Sequence, residues 1–252
     1  MTCVHTLWPT GGSSSLRSFG HAFELASRRA LLTPFGRPVD TFLELCEAMA
    51  RNEVLALDVI DYLSAAVPSC NQRLEDILRK GGAVWSVDDQ GGGKPGGLLR
   101  RQPAETRDAL RQVLSVNDRA SEHMHRAWIA AFGQHPLPGQ AYSESIKALE
   151  AVLCGALLPK NPKSTLGLVI KTIEDAPHKV SWALPMGDAS GSVVGLLKSL
   201  WTSQLDRHGT SDKAVPIEAT QFQAEGAVQL TLFLLSWLRA GVLKLDPMAK
   251  KP

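Results

Sequence analysis

Gly226-Ala227-Val228-Gln229-Leu230-Thr231-Leu232-Phe233-Leu234-Leu235-Ser236-Trp237-Leu238 is the most hydrophobic run in the chain, and its reading decides the fold. It is uncharged for only about a dozen residues, short of the roughly 20 that a membrane-spanning helix needs, and Gln229, Thr231 and Ser236 interrupt it. The run therefore predicts a buried core helix inside a longer helical pattern, Pro216 to Arg239, and no membrane association. Just upstream lies Ser203-Gln204-Leu205-Asp206-Arg207-His208-Gly209-Thr210-Ser211-Asp212, a polar, glycine-broken stretch between two apolar helix patterns. Such a turn is where a helical protein can hold a few side chains in fixed geometry.

The 252 residues, 44% of them apolar, can bury a real core and fill two domains. A formal charge of +2 carries no argument for nucleic acid by itself; a phosphate backbone needs a local cationic patch. The four cysteines, Cys3, Cys46, Cys70 and Cys154, are far apart and form no CxxC, which argues against a thiolate metal site and against a disulfide scaffold. A reducing cytoplasm is the expected compartment, since the first residues also lack a basic start followed by a long apolar core.

Periodicity divides the rest. Met1 to Gly20 reads as a flexible or loop segment around Trp8-Pro9-Thr10-Gly11-Gly12, with helical spacing starting near Leu16 and running to Leu31. Helices are predicted over Val39–Arg51, Val54–Leu63 and Asn71–Arg79. Gly81 to Val87 and Leu98 to Arg101 read as two strands of a hairpin, with the glycine-rich stretch Asp88 to Gly97 at its tip. That tip has no GKS or GKT and no dinucleotide fingerprint. Beyond it the pattern predicts helices Ala104–Leu114, Val116–Phe132, Ala141–Leu158, Thr165–Ile173 and Ser190–Ser203, with a loop or short helical turn over Asp175–Asp188. The expected architecture is mostly α: a flexible N-terminus over 1–20, a helical domain with a small β-hairpin over 21–103, and an all-helical domain over 104–248.

Several side chains bear on chemistry. His123 and His125 lack a third ligand at helical spacing and HExxH is absent, so the pair reads as one exposed histidine and one bonded at a helix interface. Glu150, one step off the apolar face of its helix, needs a partner if buried, and Arg207 and His208 are the candidates. Lys160 and Lys163 flank the start of a helix that Ser164 can cap, an arrangement suited to a phosphate. In the central turn Arg207 offers a fork for phosphate, His208 can move a proton near neutral pH, and Ser203, Thr210 or Ser211 can supply a hydroxyl. The alternative is that Arg207 and His208 only anchor the turn to helix ends.

Ala127-Trp128, Ala141-Tyr142, Ile146-Lys147-Ala148-Leu149-Glu150-Ala151, Pro159-Lys160-Asn161, Leu166-Gly167, Leu200-Trp201 and Arg207-His208-Gly209 before a long hydrophobic helix resemble the C-terminal domain of abortive-infection (Abi-like) proteins, in the HEPN superfamily. The resemblance covers Ser121 to Val242. Phe42 to Arg101 is similar to the N-terminal domain that precedes it in such proteins. It implies a HEPN-like helical bundle, homodimerisation, no cofactor, and a role in bacterial antiviral defence or a toxin–antitoxin pair, with RNA, another protein or an antitoxin as partner. Metal-independent endoribonuclease activity is also implied, with His208 as general acid or base, Arg207 as phosphate clamp, Ser203 in the catalytic set, Lys160 and Lys163 on the phosphate backbone, and Glu150, Gln204 and Gly209 in support. The family places an arginine several residues before this histidine; here Trp201, Thr202 and Ser203 stand there and Arg207 is adjacent to His208. Neighbours on a helix point roughly 100° apart, so the pair needs a loop geometry to share one phosphate. A non-catalytic dimeric interaction or RNA-binding module is the alternative, marked by an apolar stripe on Val116–Phe132 or Ala141–Leu158.

Overall fold

The computed structural model describes residues 13–27, 32, 36, 42–88, 97–183, 188–202 and 219–249. The chain is mostly α-helical with two small antiparallel two-stranded sheets, and it divides into the compact units Met1–Arg101 and Gln102–Pro252.

The first unit contains α1 (Ser13–Ser27), α2 (Phe42–Arg51), α3 (Glu53–Ala66), α4 (Asn71–Lys80), β1 (Trp85–Val87) and β2 (Leu98–Arg100). Helix α1 follows the helical spacing expected from about Leu16 and starts three residues earlier, at Ser13, so the flexible segment expected over 1–20 is corrected to helix from Ser13 on. Tertiary packing carries it: Phe19 and Phe23 lie one turn apart, both rings meet Tyr62, and Phe23 is fully buried with Leu45, Leu55 and Val59. Residues 1–12 lie outside the described residues. Asn52 separates α2 from α3 by capping the latter, its Oδ1 accepting from the Leu55 N–H at 3.0 Å.

The hairpin pairs Trp85 with Arg100 and Val87 with Leu98, and its inner side chains Val87 and Leu98 pack with Leu74 of α4. Arg101 fastens it. Its guanidinium donates to Glu75 Oε1 at 2.6 Å, to the Trp85 carbonyl at 2.8 Å and to the Ala83 carbonyl at 3.3 Å. Asp61 Oδ1 accepts from the Leu98 N–H at 2.6 Å, and a Cβ on Gly97 would lie 2.8 Å from that oxygen, so glycine is needed there for close approach. The tip, 89–96, lies outside the described residues.

The second unit contains α5 (Ala104–Leu114), α6 (Arg119–Phe132), α7 (Pro138–Leu157), α8 (Leu166–Asp175), β3 (Val180–Trp182), α9 (Ala189–Thr202), α10 (Gln221–Arg239) and β4 (Leu243–Leu245). Its centre is the antiparallel α6–α7 hairpin, against which α10 packs, with α5 on α10 and α8 between α7 and α9. On α6, Ala120, Met124, Ala127, Trp128 and Ala131 fall on one stripe and are all buried. Facing residues such as Ala141, Ala148 and Leu149 on α7 are buried too; small side chains on both helices permit close backbone approach. The hydrophobic run that opened the reading is buried along one side of α10, through Ala227, Val228, Leu232, Leu234 and Leu235. Helix α10 starts at Gln221, where Thr220 and Gln223 form a capping box, and 216–218 lie outside the described residues.

Two boundaries differ from the pattern for local reasons. Helix α6 starts at Arg119 because Asn117 adopts a positive φ of 54° and Asp118 caps the helix, its Oδ1 accepting from the Ser121 N–H at 2.8 Å. The expectation of an all-helical second domain is corrected by β3 and β4, which pair antiparallel with Val180 opposite Leu245. Val180 and Leu243 are buried, and Trp182 meets Trp237 of α10 edge-on at 4.7 Å, so the small sheet closes one end of the core. Gly241, at φ 70°, turns the chain from α10 into β4. No described helix is long and apolar enough to cross a membrane.

Candidate anion-binding cleft

Helices α6 and α7 run antiparallel, which brings residues near the start of one beside residues midway along the other. His123 and Arg126, three apart on α6, thereby face Glu144 and Lys147, three apart on α7. Glu144 is the hub. It is buried, 7% exposed, and its Oε2 accepts from His123 Nδ1 and Arg126 Nε, each at 2.8 Å, while Oε1 accepts from Lys147 Nζ at 2.8 Å. Arg126 Nη2 lies 2.9 Å from the same imidazole nitrogen, which donates to the carboxylate in one tautomer and accepts from the guanidinium in the other.

Burial alone would raise the Glu144 carboxyl, but hydrogen bonds from Lys147, His123 and Arg126, together with the Lys147 charge, outweigh it and hold the group down at about 2. Since this lies below the unfolded glutamate value of about 4.3, the stabilisation is complete above that pH and drains away as pH falls toward 2. Lys147 and Arg126 are about half exposed, at 49% and 47%, which discounts the energy for solvent screening. Glu144→Gln is expected to unfold about 2 kcal/mol more easily than wild type at pH 7, with the gap shrinking steadily below pH 4. Urea titrations at pH 7, 4 and 3 read this directly; a gap that stays constant would show that the ionised carboxylate stabilises nothing.

Two of these groups, His123 and Lys147, line a cleft of about 410 Å³ together with Arg119, Glu150, Cys154 and Ser164. Its size falls in the range of small-ligand sites. One wall is the turn after α7, shaped by hydrogen bonds from the Asn161 N–H to the Leu158 carbonyl and from the Lys163 N–H to Asn161 Oδ1. Lys160 and Lys163 stand exposed on that turn. Among the charged groups that line the cleft, Arg119 and Lys147 outnumber the one carboxylate, Glu150, and Lys160 and Lys163 stand on the adjoining turn. Burial pushes the Cys154 thiol up, the Glu150 charge adds to this and a hydrogen bond with Ser164 opposes it, so the sulfur stays protonated near neutral pH.

Glu150 accepts from the Leu166 N–H at 2.7 Å, at the start of α8. The N-cap of α8 is Thr165, one residue beyond Ser164, and its side chain makes no cap bond. A carboxylate of the chain itself thus sits on the free N–H where the lysine-flanked turn suggested a phosphate.

Ser203, Gln204, Arg207, His208 and Gly209 lie outside the described residues, as do Thr210 and Ser211. The described chain ends before them on α9, where the Leu200 carbonyl accepts from Tyr142 Oη at 2.8 Å and Trp201 packs against Gly167. Sequence reasoning missed His123, Arg126, Glu144 and Lys147 as a set. The signal was present as two polar pairs at helical spacing, but only the antiparallel hairpin joins them. Over the spans named for the interaction alternative, the exposed large hydrophobics are Val116 and Ile129 in Val116–Phe132, with none in Ala141–Leu158.

Fold and cleft together define a mostly helical chain with a groove lined by Arg119, His123, Lys147 and Glu150, beside the buried carboxylate of Glu144. Compared with protein-family models, with curated proteins and with solved structures, the chain matches none.

Proposed function

We propose that the Gln102–Pro252 unit acts on RNA, as a HEPN-like defence protein, and holds the phosphate backbone in the α6–α7 cleft. The observation that supports this reading is that Arg119 and Lys147 line the cleft against the single carboxylate Glu150, with Lys147 held in place by Glu144. Pre-positioned arginine and lysine lose less freedom on gripping a phosphate than free surface chains do. The choice of RNA rests on the sequence resemblance; the cleft supplies the phosphate contacts.

Binding of a fluorescein-labelled single-stranded RNA of 20 mixed nucleotides, followed by anisotropy between 50 and 200 mM KCl, tests the reading. Each neutralised phosphate of a single strand contributes about 0.7 to the slope of log affinity against log salt. The double variant Lys160→Gln/Lys163→Gln is expected to bind roughly tenfold more weakly with a slope smaller by about 1.4, whereas Lys80→Gln, on the other unit, leaves both unchanged. Equal binding by the double variant and wild type would remove the lysine turn from RNA recognition.

A further inference from the structure

We infer that a second cavity in the Gln102–Pro252 unit binds a straight-chain monocarboxylic acid, its carboxylate on Arg239 and its alkyl tail against α7, α10 and β4. The cavity, about 480 Å³, is bounded by those three elements and by the turn before α6, and it shares no lining residue with the cleft of His123 and Lys147. Its volume lies in the range of small-ligand sites. One guanidinium defines the polar end. Arg239 Nη2 is already engaged, donating to Asp118 Oδ1, Asp118 Oδ2 and Ser121 Oγ. Nη1 is buried and has no hydrogen-bond partner among the described residues. A buried donor of a charged group left unpaired carries its full desolvation penalty, and one acceptor oxygen relieves it. Both Asp118 oxygens meet Nη2, so the Nη1 side of the fork is open to a second carboxylate. Lys244 lines the same cavity and is exposed. Two cations, Arg239 and Lys244, against the one carboxylate of Asp118 leave the lining a single positive charge in excess, which suits a monoanion better than a phosphate dianion.

The apolar end fixes the rest of the ligand. Val152, Leu235, Leu238, Leu243 and Leu245 line it, and no described lining residue is aromatic. Aliphatic walls give an alkyl chain dispersion contacts and removal from water, whereas a ring finds nothing to stack on. Leu238 and Leu245 are only half-buried, so a tail laid over them covers apolar surface that the fold itself leaves wet. A water molecule would answer Nη1 alone. An alkanoate answers the donor and the leucines together.

Isothermal titration calorimetry of the full chain with sodium octanoate, sodium acetate and 1-octanol gives the test. Octanoate is expected to bind at one site. Acetate, which lacks the tail, and octanol, which lacks the charge, should each bind at least about tenfold more weakly. Val152→Phe fills the cavity from α7 without touching Asp118 or Arg239, and should abolish octanoate binding while circular dichroism shows the helical content of wild type. Arg239→Lys keeps a charge beside Asp118 but removes Nη1, and should weaken octanoate about tenfold. Lys244→Gln should weaken it about threefold. If Arg239→Lys loses its fold, Val152→Phe and the octanol comparison still decide. Octanoate bound equally by wild type and Val152→Phe places the acid elsewhere and overturns the inference. Octanol bound as tightly as octanoate overturns it too, since the guanidinium then plays no part. No binding heat from octanoate up to about 5 mM does the same.

Discussion

Asp118→Ala is expected to lower the unfolding free energy by about 3 kcal/mol, the largest loss foreseen for a residue outside the apolar core. One carboxylate serves two purposes there. It caps α6 through the Ser121 N–H, and it takes the Arg239 guanidinium from the end of α10, with Nη2 at 2.8 Å from Oδ1 and 3.0 Å from Oδ2. Ser121 Oγ adds a bond at 2.9 Å to the same Oδ1. Alanine removes the cap, which costs about 1 to 2 kcal/mol, and leaves a guanidinium only 17% exposed without its counter-charge. Asparagine separates the two: it caps as well as aspartate but carries no charge, so Asp118→Asn is expected to lose about 1 kcal/mol. Burial works to raise the Asp118 carboxyl, yet the Ser121 and Arg239 interactions hold it below its ordinary value. Its contribution is therefore present above the unfolded aspartate value of about 3.9 and lost as pH falls beneath it. Urea unfolding followed by circular dichroism at pH 7 and pH 3 should show the wild-type advantage over Asp118→Asn closing at the lower pH. An alanine variant as stable as wild type would mean that α10 does not depend on this anchor.

Gly167→Ala should destabilise the second unit by about 2 kcal/mol, against the usual sense of a glycine-to-alanine change in a helix. A Cβ built at 167 lies 2.4 Å from Trp201 Cζ2 and 2.7 Å from Cε2, inside any real contact distance. The indole cannot give way at low cost, because Leu200 beside it is buried and its carbonyl is held by Tyr142 Oη. Nor can the first turn of α8 shift, since Leu166 is fully buried and its N–H is bonded to Glu150. Gly155 on α7, Gly195 on α9 and Gly226 on α10 have nothing within 4 Å of an added Cβ, and alanine there should be neutral or stabilising by up to about 1 kcal/mol. Chemical unfolding of the four variants side by side makes the comparison; equal behaviour of position 167 and the other three would mean that Trp201 does not pack there.

Helices were legible in the sequence wherever burial follows their own periodicity. Helix α5 occupies Ala104–Leu114, the span its spacing predicts, because Leu110 and Val113 are its buried contacts and Pro103 stops it at the front. Strands β3 and β4 were not legible. Each is three residues long, and Val180 finds Leu245 only after α9 and α10 have been laid down between them. The first turn of α1 was missed for a related reason: Ser13-Ser14-Ser15 signals a loop locally, while the helix expected from Leu16 is anchored by Phe23 packing with Val59 and Leu45. At the cleft, the spacing that drew attention was His123-x-His125, whereas the pairing that matters is His123 with Arg126 and, across the hairpin, with Glu144. Glu144 gave no sign of its role in the apolar pattern of α7, because its three partners come from both helices. Lys160, Lys163 and Glu150 were legible as charged groups near a helix start, but which of them meets that start is a matter of tertiary geometry: Glu150 does.

The dependence of α6 and α7 on α10 has a consequence for synthesis. The hairpin is complete in sequence at Leu157, while its covering helix is complete only at Arg239. At about 5–20 residues per second a ribosome leaves the hairpin waiting roughly 4 to 16 s with an oily flank open to solvent. That interval is when a nascent-chain chaperone has most to hold, and a slow codon between the two would lengthen the hazard without altering a single contact of the finished molecule.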